Sequence, residues 1–106
     1  MYDENQNCEY YNDSILDERI KALSCSTRRK ILFVIKEEPK NLRSITLEID
    51  KVYNVIKRHV KIMVACDLIV QTRRGTNFYY QLNEKVLQNV LDSLNSLKDS
   101  AMKKIE

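Results

Sequence analysis

Two strong helix breakers, one proline and one glycine, interrupt the 106 residues of the chain, and their scarcity constrains the fold more than any other feature. Pro39 lacks a backbone N–H and cannot continue a helix, whereas Gly75 lies at the polar centre of a β-rich stretch. Elsewhere apolar residues recur at three- and four-residue steps, which is the period of an amphipathic helix. The sequence therefore predicts a mainly α-helical chain with one small β-hairpin.

The same periodicity predicts where each element lies. Helices are expected at residues 14–23, from 26 or 27 to 35, at 42–49, at 52–65 and at 84–105, with a tight turn before the fourth. Ser14 is expected to cap the first helix. The stretch LIVQTRRGTNFYYQL, residues 68–82, is rich in β-branched and aromatic residues and predicts two strands joined by a turn near residues 74–77.

Charge is distributed unevenly along the chain. Residues 1–18 contain six acidic residues and no lysine or arginine, so the other nine of the 15 acidic residues and all 18 basic residues lie in residues 19–106. The net charges are therefore −6 and +9. A basic body favours a polyanionic partner, although a solvated surface is the plainer alternative. Residues 1–13 are interpreted as an acidic, flexible tail.

Residues 51–63, KVYNVIKRHVKIM, combine an apolar face with a basic one. In a helix the polar residues fall within an arc of about 140°; they are Tyr53, Asn54, Lys57, Arg58 and Lys61. The opposite side is predicted to be core, and its residues are Val52, Val55, Ile56, Val60, Ile62 and Met63. Two short helices joined by a tight turn, the second with such a face, are typical of a helix-turn-helix that places its second helix in the major groove of DNA.

The predicted hairpin adds a second basic group next to this recognition helix. Its tip carries Arg73, Arg74, Thr76 and Asn77, which are expected to point away from the rings of Phe78, Tyr79 and Tyr80. A basic tip of this kind is typical of the wing of a winged helix, which reaches the adjacent minor groove or its phosphates. In the recognition helix, Arg58 suits guanine and Asn54 suits adenine, whereas Lys61 is expected to contact the backbone.

The last predicted helix carries an apolar stripe that is longer than a domain of this size can cover. We expect it to pair with a second copy and to place two recognition helices about 34 Å apart; the alternative is a helix packed on its own domain. The predicted interface residues are Ile15, Leu16, Leu87, Val90, Leu91, Leu94 and Leu97. Residues 14–83 are then a winged helix-turn-helix domain, and residues 84–106 a dimerisation helix.

Three segments resemble motifs of the ArsR-type winged-helix repressors. They are ALSCSTRRKIL at residues 22–32, VIKRHVKIM at residues 55–63 and DLIVQTRRGTNFYYQLN at residues 67–83, in the family's order. The resemblance spans residues 19–97 and implies a homodimer that binds a pseudo-palindromic operator in double-stranded DNA and represses transcription. The chain departs from the family at Cys25 and Ser26, which replace Asp-Pro, and at Asp67, which replaces a common glycine.

Catalysis and metal binding are not expected. The sequence has no Gly-rich phosphate loop and no zinc-ligand spacing, and residues 41–50 and the last helix lack the cysteines and histidines of the family's metal sensors. The single histidine, His59, falls in the apolar arc and is expected at the core boundary with one hydrogen bond. No cofactor and no membrane segment are expected, and the protein is placed in the cytoplasm.

Two alternatives remain open at this stage. One is a winged-helix module that binds another protein instead of DNA. The other is a repressor that responds to oxidation or to a soft metal through Cys8 and Cys25, which would require the tail to fold back. With Cys66, the three cysteines form no disulfide framework by spacing, so reduced thiols are the simpler interpretation.

Overall fold

The computed structural model describes the backbone of residues 13–105 and the side chains of residues 13–99. These residues form five helices and one two-stranded antiparallel sheet. In chain order the elements are α1 (Ser14–Leu23), α2 (Ser26–Val34), α3 (Leu42–Glu48), α4 (Tyr53–Ala65), β1 (Ile69–Arg74), β2 (Asn77–Leu82) and α5 (Glu84–Ile105). The predicted fold class is confirmed, and the predicted helix ends differ from these by one residue at most.

The helix caps show how local sequence sets these bounds. The carboxylate of Asp13 accepts the backbone N–H of Leu16 at 3.0 Å, so Asp13 caps α1. The prediction that Ser14 is the cap is wrong, because Ser14 already has helical geometry and the short acidic side chain before it takes the capping role. At α3, the side chain of Asn41 accepts the N–H of Ser44 at 2.9 Å in the same way.

Helix α4 ends on a left-handed residue that is not glycine. Asp67 has φ of 67°, and the following N–H, from Leu68, donates to the carbonyl of Met63 at 2.9 Å. The N–H of Asp67 donates to the carbonyl of Val64 at 3.1 Å, which completes a Schellman motif. The turn directs the chain from α4 into β1, so an aspartate here serves the role that glycine serves most easily.

The core lies between the first four helices and the base of the hairpin. Its buried residues are Ala22, Ile31, Leu32, Ile35, Ile45, Ile49, Ile56, Val60, Met63, Leu68, Ile69 and Tyr80. Two predicted core residues of the α4 segment are instead exposed, Val52 at 65% and Ile62 at 37%. Val52 precedes the first turn of α4 as its N-cap residue, and Ile62 faces a surface cleft that Ile15 also lines.

The hairpin is attached to the helices through its second strand. Arg74 pairs with Asn77 at the tip and Ile69 pairs with Leu82 at the base, and Gly75 has φ of 64° in the turn. Tyr80 and Lys40 exchange two backbone hydrogen bonds of 2.8 and 3.0 Å. This bridge ties β2 to the loop between α2 and α3, and so fixes where the wing stands beside the helices.

Helix α5 packs on α1 through its first half. Val90 is buried, and Val86 and Leu87 are half-buried against the core. Farther along, the helix exposes Leu94 and Leu97. No helix in residues 13–105 is both long enough and apolar enough to cross a bilayer.

Candidate nucleic-acid interface

Helices α3 and α4 are joined by the short turn at residues 49–52. The N–H of Lys51 donates to the carbonyl of Ile49 at 2.7 Å, and the N–H groups of Val55 and Ile56 both donate to the carbonyl of Val52, which starts α4. Ile45 and Ile49 on one side of this turn and Ile56 on the other are buried together. The two helices therefore form the helix-turn-helix unit that the sequence predicts.

Helix α4 presents a polar face to solvent. Every predicted contact residue on it is exposed: Tyr53, Asn54, Lys57, Arg58 and Lys61. No acidic residue lies on α4, and no ion pair among the described residues involves its cations. Opposite them, Ile56, Val60 and Met63 are at most 2% exposed. The helix thus carries positive charge that no neighbouring carboxylate neutralises.

The wing tip holds its two arginines against aromatic rings. The guanidinium of Arg73 lies 5.9 Å from the ring centre of Phe78, and that of Arg74 lies 4.9 Å from the ring centre of Tyr79. The prediction that these cations point away from the rings is wrong, because each pair lies on one face of the hairpin, directly or diagonally across the strands. Arg73 Nε also donates to the carbonyl of Gly75 at 2.9 Å. Cation–π contacts at exposed sites contribute about 0.5–1 kcal/mol each, so they favour these positions of the two guanidinium groups.

A cleft of about 520 Å³ lies between the helix-turn-helix and the wing. Arg43 of α3 and Tyr53 of α4 line one side, and Thr76 and Asn77 of the wing line the other. The structure therefore brings predicted contact residues from two separate segments to one cleft. Arg43 was missed by the sequence interpretation, although its position on α3 beside the inward-facing Leu42 already placed it on the polar side of that helix.

His59 lies at the inner edge of α4 and is half-buried. Its Nδ1 accepts a hydrogen bond from Arg28 Nε at 3.2 Å, and Arg28 also donates to the carbonyls of Lys21 and Ala22, both at 3.4 Å. Burial lowers the pKa of His59, and the positive charges of Arg28, Arg58 and Lys51 lower it further. The predicted boundary histidine with one hydrogen bond is confirmed, and Arg28 of α2 connects it to the end of α1.

The two described thiols lie apart from the polar face of α4. Cys25 precedes the first turn of α2, where the backbone N–H of Arg28 lowers its pKa. Cys66 follows α4, and its Sγ donates to the carbonyl of Met63 at 3.6 Å. Both are free, and no cluster of three potential metal ligands occurs among the described residues. Cys8 lies outside the described residues, so a Cys8–Cys25 switch stays a prediction.

The predicted interface residues fall into three groups by exposure. Ile15 is 60% exposed, Leu91 and Leu94 are each 45% exposed and Leu97 is 69% exposed, while Leu16 and Leu87 are half-buried. Val90 is 1% exposed, so it belongs to the packing of a single chain and its place in the predicted interface is corrected. Its position on α5 turns it toward α1, whereas Leu94 and Leu97 lie beyond that contact.

A helix-turn-helix followed by a basic two-stranded wing defines the winged-helix class of DNA-binding domains. Solved structures share this fold. An ArsR-like transcriptional regulator from Rhodococcus sp. RHA1 aligns with a TM-score of 0.79 at 20% identity, over 87% of each chain. The homodimeric winged helix-turn-helix DNA-binding domain of a possible ArsR-family regulator from Mycobacterium bovis aligns with a TM-score of 0.70 at 14% identity, over 91% of this chain and 89% of that one.

Sequence similarity identifies the family. The transcriptional repressor SdpR of Bacillus subtilis (strain 168) is 36% identical over 75 residues, which are 71% of this chain and 80% of that protein. No family model matches the chain. The chain belongs to the ArsR family of winged-helix transcriptional regulators. It is a DNA-binding transcriptional regulator and not an enzyme.

Proposed function

We propose that the protein is a homodimeric repressor that binds a pseudo-palindromic operator, with α4 in the major groove and the wing on the adjacent minor groove or its phosphates. One observation carries this proposal: Tyr53 on the polar face of α4 lines a cleft with the wing residues Thr76 and Asn77, and it lines a second cleft with Lys57 and Lys61 of the same face. A double helix can meet both elements at once because the major and minor grooves alternate along it.

Each residue has a distinct role in this arrangement. Arg58 donates to guanine and Asn54 pairs with adenine, because their bidentate groups match those base edges. Lys61, farther along α4, contacts phosphates. At the wing, Arg73 and Arg74 supply charge for the phosphates next to the minor groove.

The dimer follows from the exposed apolar surface on α5 and α1. Leu91, Leu94 and Leu97 follow one another at three-residue steps on α5, and Ile15 is exposed on α1 beside it. A symmetric pair would cover these side chains, since the same surface meets itself across a two-fold axis. The homodimeric neighbour from Mycobacterium bovis supports this assembly. In this scheme residues 14–83 bind DNA and residues 84–106 dimerise.

Repression is proposed because the relative from Bacillus subtilis is a transcriptional repressor. A dimer on its operator blocks the polymerase without any catalytic step. As a regulator of transcription, the protein is proposed to act in the cytoplasm together with its target DNA.

The salt dependence of binding to a generic 30-base-pair duplex tests the function. A dimer that neutralises about eight phosphates gives a log–log slope near −7. A winged-helix module that binds another protein would show almost no affinity for the duplex and no such slope, and that outcome would refute the proposal.

Two arginine variants test the assigned roles. Arg58→Ala is expected to cost about 1–3 kcal/mol on the preferred site and to relax base preference. Arg74→Ala is expected to weaken binding to all duplexes alike. Lys36→Ala is the matched control, because Lys36 is an exposed cation that pairs with Glu37 at 2.9 Å. Equal losses on every duplex for Arg58→Ala would show that Arg58 contacts phosphate.

A further inference from the structure

The cleft between the helices and the wing continues along α4. A second cleft, of about 350 Å³, shares Leu42, Tyr53, Phe78 and Tyr80 with the first. Together they form one channel, here called the α4–wing groove, with the helix-turn-helix on one side and the hairpin on the other. Arg43 lies at one end, and Lys57 and Lys61 lie at the other.

The charge of this groove is of one sign. Arg43, Lys57 and Lys61 line it, and no aspartate or glutamate of the described chain does. A cleft of about 210 Å³ elsewhere in the domain differs in this respect, because Glu37, Glu38 and Glu48 surround its two lysines. Since unpaired cations attract anions most strongly where no carboxylate competes, the α4–wing groove is suited to an anionic chain.

Two exposed rings give the groove an apolar middle. Tyr53 is 47% exposed and Phe78 is 42% exposed, and both line the two connected clefts. A sugar–phosphate strand alternates charged phosphates with deoxyribose carbons. Cations at the two ends and rings between them match that alternation, since ring faces pack against apolar carbon and cations against phosphate.

The groove also divides the polar face of α4 into two rows. Tyr53, Lys57 and Lys61 follow one another at four-residue steps and line the groove. Asn54 and Arg58 form a neighbouring four-residue step, are exposed and do not line it. Residues four apart lie on the same side of a helix, so the two rows face different parts of any bound duplex.

We propose that the α4–wing groove holds one sugar–phosphate strand of the bound DNA, clamped by Arg43, Lys57 and Lys61, and that base recognition by α4 is left to Asn54 and Arg58. This inference rests on the proposed DNA-binding function and deepens it. It adds Arg43 and Phe78 to the DNA contacts, and it assigns Tyr53 and Lys57 to the backbone, although their residue types can also contact bases.

The test compares variants of the groove cations with a variant of the Asn54–Arg58 row, and it measures their binding to two DNA duplexes. The probes are a 30-base-pair duplex enriched from a random library by the wild-type protein, and a scrambled duplex of the same composition. Arg43→Ala and Lys57→Ala are each expected to weaken binding to both duplexes by the same factor, about 3- to 10-fold, and to reduce the salt slope by about 2 per dimer. Arg43→Lys keeps the charge and is expected to restore the slope.

Arg58→Ala and Lys36→Ala are the matched comparisons. Arg58→Ala is expected to reduce the preference for the enriched duplex, which the groove variants leave intact, and Lys36→Ala is expected to bind like wild type. A change in base preference for Lys57→Ala would overturn the division into two rows. If Arg43→Ala binds as Lys36→Ala does while Arg58→Ala loses affinity, the clamp is refuted and the proposed function stands. If the wild-type protein binds neither duplex, the proposed function itself fails.

Discussion

Helix α4 buries Ile56, Val60 and Met63 within its own domain, whereas α5 leaves Leu91, Leu94 and Leu97 between 45% and 69% exposed. Both helices are amphipathic in sequence. They differ in reach, because α4 has 13 residues and crosses the core, while α5 has 22 residues and extends beyond α1. An apolar stripe therefore predicts that a helix has a partner, but the partner can lie in the same chain or in another one.

The polar faces of the two helices differ as well. On α4 the charged residues are all basic, whereas α5 mixes Asp92 and Asp99 with Lys85 and Lys98. A mixed face interacts well with water and has no preference for a polyanion. The single-sign face of α4 costs stability through repulsion unless an anion binds it, which supports the proposed contact of this face with DNA.

The largest effect is expected from Leu94→Glu, which places a charge in the exposed stripe of α5. The dimer should dissociate at micromolar concentration, and affinity for a two-site duplex should fall at least about 100-fold, because each half-site is then bound independently. Analytical ultracentrifugation and fluorescence anisotropy measure both. Asn95→Glu adds the same charge at the neighbouring exposed position and should leave the dimer intact. If the Leu94→Glu protein stayed fully dimeric, α5 would not form the dimer interface.

Truncating one apolar residue in each helix sharpens the comparison. Ile56→Ala should lower the free energy of unfolding by about 2–5 kcal/mol, because it leaves a cavity in the core. Leu97→Ala should leave the unfolding of the separated chain nearly unchanged and weaken only the concentration-dependent part of stability. Urea unfolding at several protein concentrations distinguishes the two. If Leu97→Ala lowered the free energy of unfolding by the same amount at every protein concentration, the end of α5 that carries Leu97 would pack on its own domain.

A smaller effect is expected from pH, through the bond that holds α4 in place. Burial lowers the pKa of His59 below its ordinary value near 6.5, and the positive charges of Arg28, Arg58 and Lys51 lower it further, so the neutral ring accepts the Arg28 hydrogen bond at Nδ1. The unfolded chain therefore binds a proton first as pH falls. The free energy of unfolding should be constant above about pH 6.5 and decrease below it. The whole contribution of His59 is lost once the pH is below the folded-state pKa.

His59→Gln is the control for this pH dependence. Glutamine offers an uncharged acceptor to Arg28 and does not titrate, so the decrease in stability between about pH 6.5 and 5 should be reduced. Thermal unfolding across this range measures the difference. The assignment to His59 would be wrong if both proteins lost stability in parallel.

The smallest effect is expected at the residue that ends α4. Asp67→Gly should raise stability by about 0.5–1 kcal/mol, because glycine adopts the left-handed conformation without a Cβ clash. The ion pair that it removes, with Arg19 at 3.8 Å, involves a carboxylate that is 70% exposed and contributes little. Asp67→Ala removes the same pair but keeps the Cβ and should destabilise. A destabilised Asp67→Gly protein would show that the carboxylate matters more than the backbone.

Local signals account for most of what the sequence predicted correctly. Pro39 and Gly75 mark the breaks, and the three- and four-residue steps of apolar residues mark the helices, since both act within a few residues. Two of the errors were also local. Asp13 and Ser14 are neighbouring candidates for the same N-cap position. Val52 has an apolar side chain of the kind found in cores, but it precedes the first turn of α4.

The groove could not be predicted in the same way. It depends on β2 standing beside α3, and the backbone bridge between Lys40 and Tyr80 that holds it there joins segments about forty residues apart. Such a bond leaves no periodic pattern in either segment. Arg43 therefore looked like any exposed arginine until the structure placed it opposite Asn77 across the cleft.

The sequence by itself determined the helices, the hairpin and the two faces of α4, because helix periodicity and turn chemistry are properties of neighbouring residues. The tertiary structure decided which polar residues of α4 line the groove and which apolar residues of α5 remain uncovered. Both depend on how separate elements pack, and packing is set by contacts between residues that are distant in the chain.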